Sequence, residues 1–136
     1  MILTTIIFSQ LNIKEPSFKE TYSDLIKRVE SRIHLKCKNQ IVKIDYVWMP
    51  KEIEGNLLKN EYARYNYSYS KPWIEFSSIF KELTIKDKEL NLYHEIGHVY
   101  GLGHSMKGIM SSPIKEVTQD WNSYFSRLCS SIVQKK

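Results

Sequence analysis

Apolar and polar positions alternate in distinguishable rhythms along this chain of 136 residues. Residues 2–9 form an apolar run rich in Ile and Thr, which predicts a buried strand. From 17 to 34, Phe18, Tyr22, Leu25, Ile26, Val29 and Ile33 fall on one face at helical spacing. Ser17 and Glu20 have capping-box spacing, so a helix is expected to start at 17. Residues 40–48 alternate through Ile41, Val42, Ile44, Tyr46 and Trp48 and predict a strand. Residues 49–60 carry Pro50, Gly55 and Asn56 and predict a loop. Two further strands are expected at 61–70 and 73–77, joined by a turn at Ser70-Lys71-Pro72. A helix is expected at 87–100. A last one is expected at about 118–133, with Thr118 as N-cap, Asp120 near its positive end, and Val117, Trp121, Phe125, Leu128, Cys129 and Ile132 on its buried side. The order predicts an α+β fold, a twisted sheet with helices packed on it.

Composition changes this picture little. There is no repeat or linker, and the length suits one domain over 1–136. The formal charge of +5 comes from scattered lysines, and no dense basic run with interleaved aromatics points to nucleic acid. The apolar N-terminus is too short to span a bilayer and lacks a basic leader, so a cytoplasmic monomer with no membrane partner is expected. The spacing of Cys37 and Cys129 matches no zinc or redox motif. Free thiols are the expectation, with a disulfide left open.

Residues 94–104 carry the candidate chemistry: His-Glu-Ile-Gly-His-Val-Tyr-Gly-Leu-Gly-His, the pattern HExxHxxGxxH. His94 and His98, four apart on a helix, share a face and can meet one metal ion. Gly101 can end the helix and turn the chain, bringing His104 to a third coordination position. Three imidazoles leave a fourth position open for water, the arrangement of a catalytic zinc site. Glu95 can act as general base toward the activated water without ligating the metal. Residue frequencies in this chain give the pattern a chance expectation of roughly 10⁻⁵. His34, outside it, is expected at a helix end with no metal role.

This segment resembles the metzincin clan of zinc endopeptidases, and within it the matrix-metalloproteinase-like branch. The resemblance rests on the histidine motif, on Met110 six residues past His104, on Ser105 directly after that histidine, and on Pro113 three residues past Met110. It implies one catalytic Zn²⁺ held by His94, His98 and His104, with Gly101 and a tight turn at Met110 supporting the site. It further implies a peptide or protein substrate lying extended along a strand edge within 61–77. A specificity pocket is expected among Val99, Ser111, Ser112, Pro113 and Ile114. The clan's plan divides the chain into an N-terminal part, about 1–101, and a short C-terminal part, about 102–136, with the methionine turn and the final helix. Ser112 stands where other branches place a tyrosine ligand, and 49–80 holds no His/Asp cluster for further metals. No pro-segment with a cysteine switch is expected. The alternative to a peptidase is a zinc-bound, catalytically weak module that binds a partner through the same cleft.

Overall fold

A computed structural model describes residues 22–38, 44–48, 62–68, 71–105, 108–112, 114 and 121–135. Helix α1 spans Ser23–Lys36 and turns Leu25, Ile26, Val29 and Ile33 inward, as their spacing predicts. It starts at Ser23, not at 17. Tyr22 is its N-cap and makes no side-chain cap bond. Capping-box spacing together with the apolar rhythm suggested the earlier start, but neither fixes a terminus. Ser17 and Glu20 lie outside the described residues. The helix ends at Cys37, whose N–H donates to the Ile33 carbonyl, and Lys38 follows in a left-handed conformation (φ 56°).

Three strands form a mixed sheet in the order β1-β3-β2, with β1 at Asp45–Trp48, β2 at Ala63–Ser68 and β3 at Lys71–Phe76. β1 pairs parallel with β3, and β2 antiparallel. The expected strand at 2–9 and the loop at 49–60 lie outside the described residues. The expected turn at Ser70-Lys71-Pro72 is corrected. Lys71 and Pro72 belong to β3 and pair with Ser68 and Tyr67, so only 69 and 70 link the strands. Pro72 precedes Trp73, where pairing with β1 begins, so its missing N–H falls beyond the central stretch of the strand. Residues alternate along β3, which sends Ile74 and Phe76 into the core. Ser77 closes the hairpin's end. Its N–H and its hydroxyl both donate to the Tyr62 carbonyl, at 2.9 and 3.1 Å.

A short 3₁₀ segment, Ser78–Glu82, buries Phe80 against Phe76 and leads into helix α2, Ile85–Val99. This helix starts two residues earlier than the sequence pattern suggests, because Thr84 caps it by accepting from the Asp87 N–H at 3.1 Å. α2 packs on β2 and β3 with one side and on α1 with another. Leu92, Tyr93, Ile96 and Val99 are therefore all buried. Helix α3, Trp121–Lys135, adds Tyr124, Phe125, Leu128 and Ile132 to the same core. Thr118, Val117 and Asp120 lie outside the described residues.

The architecture is α+β with one shared core. The two cysteines do not remain free. Cys37 at the end of α1 and Cys129 on α3 form a disulfide across 92 residues of sequence. Their spacing carried no motif because tertiary packing of α1 on α3, not local sequence, brings them together. No helix among the described residues is long and apolar enough to cross a membrane.

Candidate metal centre

The site begins with a helix end. α2 terminates in a Schellman motif: the Gly101 N–H donates to the His98 carbonyl at 3.0 Å, and the Leu102 N–H to the Gly97 carbonyl at 2.9 Å. This geometry needs a left-handed residue at Gly101, whose φ is 91°. The chain then doubles back and carries His104 to the two helical histidines.

A second turn closes from below. The Ser111 N–H and the Ser111 hydroxyl both donate to the Gly108 carbonyl, at 3.1 and 2.7 Å. The Ser105 N–H donates to the Met110 carbonyl at 2.9 Å, which ties the segment after His104 to this turn. Met110 is 1% exposed, with its thioether pressed toward Gly97 on α2. A Cβ on Gly97 would stand 2.5 Å from the Met110 sulfur.

These two turns orient the ligands. His94 Nδ1 lies 2.7 Å from the Ile109 carbonyl, and His98 Nδ1 lies 2.8 Å from the Leu102 carbonyl. A carbonyl only accepts, so both Nδ1 atoms carry the proton and donate. In the neutral ring the lone pair is then left on Nε2. Burial pushes the His94 pKa down to about 4, with the neighbouring His98 and His104 adding to the shift against the hydrogen bond to Ile109. His98 is also lowered, chiefly by burial. Both rings are therefore neutral at pH 7.

His98 Nε2 lies 3.1 Å from His94 Nε2 and 3.1 Å from His104 Nε2. Two neutral rings protonated on Nδ1 offer no hydrogen between their Nε2 atoms, so lone pair faces lone pair. A cation relieves that repulsion. Tetrahedral ligands at zinc distances stand about 3.3 Å apart, which these separations approach. The donor set fits a metal ion, and His94, His98 and His104 could hold one. Among the described residues they are the one such group. His94 is buried, His98 half-buried and His104 exposed, so the cluster opens toward solvent on the His104 side. Glu95, 6% exposed, follows His94 directly on α2.

The residues of the expected pocket differ in burial. Val99 and Ser111 are buried, Ile114 is half-buried, Ser112 is exposed, and Pro113 lies outside the described residues. His34 is half-buried in the last turn of α1.

Sequence reasoning passed over four contributors. The Ile109 and Leu102 carbonyls are backbone groups, on which residue identity gives no information. Gly97 could have been noticed, since a glycine inside a helix costs about 1 kcal/mol relative to alanine and suggests close approach. Tyr124 could have been found by its place on the apolar face of α3. It is buried, and its hydroxyl donates to the Tyr93 carbonyl at 2.6 Å, one residue before His94.

Compared with protein-family models, curated proteins and solved structures, the chain matches none.

Proposed function

We propose that this protein is a zinc-dependent endopeptidase of the metzincin type that hydrolyses peptide bonds in a peptide or protein substrate. The observation that carries the proposal is the convergence of three imidazole Nε2 atoms, two of them made lone-pair donors by backbone carbonyls. The early methionine turn and the sequence pattern around it support the matrix-metalloproteinase-like branch. Zinc is the metal of choice because three imidazole ligands with room for one more suit its tetrahedral preference.

When bound, zinc supplies a Lewis acid that acidifies water toward neutral pH and polarises a scissile carbonyl. The rest falls to the chain. His94 and His98, held neutral and correctly turned, present their Nε2 atoms without any rearrangement of the helix. Glu95 takes the proton from the attacking water and hands it to the leaving amine. Burial of the Glu95 side chain keeps that carboxylate away from bulk solvent, where it would act less strongly on the transition state.

The test is cleavage of an unstructured protein such as casein by purified protein carrying one equivalent of zinc. Cleavage is expected in the wild type and should fall by at least about 10²-fold in Glu95→Ala, which retains zinc. Equal behaviour of the two proteins, or no transition metal after loading, rejects the peptidase.

A further inference from the structure

The Cys37–Cys129 bridge takes no part in the chemistry above, yet it encloses it. The 92-residue separation places the described sheet, α2 and the whole metal-binding segment between the two sulfurs. One sulfur ends α1 and the other sits on α3.

α3 in turn grips the helix that carries the ligands. The Tyr124 hydroxyl donates to the Tyr93 carbonyl at 2.6 Å. The Tyr93 ring meets Trp121, Tyr124 and Phe125 edge to face, at centroid distances of 4.8, 5.9 and 6.2 Å. Arg32 of α1 lies over the Trp121 and Phe125 rings, at 4.4 and 5.2 Å from their centroids. So α3 is fastened covalently to α1 at one point, and against the residue preceding His94 at another. The two cysteine residues differ in exposure: Cys37 is 5% exposed and Cys129 is half-buried.

We propose that the Cys37–Cys129 disulfide is a redox latch on the metal centre: intact, it holds α3 against Tyr93 and slows metal release, and its reduction by a dithiol frees the metal. The proposal rests on His94, His98 and His104 binding a metal. The reductant's thiolate attacks the sulfur of Cys129, the more exposed residue of the pair, forming a mixed disulfide and expelling the Cys37 thiolate. The reductant's second thiol then displaces Cys129. The protein gains two electrons and two protons as two thiols, and the dithiol leaves as its own disulfide. Removing a closed loop of this length raises the weight of the open chain by roughly 10³-fold, which sets the ceiling on faster release. Partial openings that lift α3 from Tyr93 take only part of that factor.

The test uses the full chain loaded with Co²⁺, whose visible absorption reports tetrahedral imidazole ligation independently of any catalysis. Release to excess chelator is timed for oxidised wild type, for wild type reduced and freed of reductant under anaerobic conditions, and for Cys37→Ser/Cys129→Ser. Circular dichroism at the working temperature verifies that all three are folded, and the reduced wild type serves if the double variant is not. Both disulfide-free forms are expected to release at least tenfold faster than the oxidised protein. Tyr124→Phe, with the disulfide intact, is expected to release severalfold faster. Rates within twofold of each other for oxidised and reduced protein overturn the latch while leaving the metal centre standing. An unchanged rate in Tyr124→Phe overturns the route through Tyr93. Failure of the oxidised protein to bind Co²⁺ or zinc overturns the latch together with the metal centre.

Discussion

Replacing Gly97 by alanine sets two calculable effects against each other. Alanine in a helix interior gains about 1 kcal/mol over glycine. Against this, the new Cβ would stand 2.5 Å from the Met110 sulfur, 2.9 Å from its terminal methyl and 3.5 Å from a Leu102 methyl. A thioether swings easily where there is space, but Met110 is buried and interiors are close-packed, so the turn must shift with it. Overpacking of this kind costs about 1–3 kcal/mol. The net destabilisation is then about 0–2 kcal/mol, or at most about 8 °C in Tm for a domain of this size. The metal site should suffer more. Met110 follows Ile109, whose carbonyl orients His94, and lost orientation of a ligand typically costs 10–100-fold in metal affinity. Chelator competition and thermal melting of the same samples separate the effects. Affinity should fall at least tenfold while Tm falls by only a few degrees. A Tm raised by about 4 °C with unchanged affinity would show that Met110 does not fix the turn against Gly97, and would refute the reasoning.

The metal-free protein should lose stability as pH falls. The folded pKa of His94 is about 4 against 6.5 for a free imidazole, so the unfolded chain binds the proton first. The stabilisation is complete above pH 6.5 and drains away between pH 6.5 and 4, amounting to about 3 kcal/mol. Melting curves across that range should show the decline, and a flat Tm would contradict a buried neutral His94. At the end of α1, Lys38 holds a left-handed conformation that glycine adopts without penalty. Lys38→Gly should therefore stabilise by up to about 1 kcal/mol in chemical denaturation; a loss of stability would mean that the lysine side chain contributes more than its backbone costs.

What could be read from the sequence divides along the reach of the interactions involved. His94 and His98 four apart, Gly101 three later and His104 after the turn are all fixed by helix geometry and one chain reversal, so eleven residues announce them. The inward faces of α1 and β3 follow from local periodicity in the same way. Termini were less legible: Phe18 and Tyr22 continue the apolar rhythm past the true start of α1, and Lys71-Pro72 looks like a turn until its register with β2 is known. Contacts between distant elements left no trace. The disulfide spans 92 residues, and Tyr124 reaches Tyr93 across 31.

The two carbonyls that turn His94 and His98 toward each other belong to Ile109 and Leu102, and every residue has a carbonyl. Mutation can exchange the side chains at those positions without deleting the groups that matter, provided the turns keep their shape. The orientation of the centre is thus encoded in chain path rather than in residue identity. A lineage could drift far in letters and keep the same three converging nitrogens.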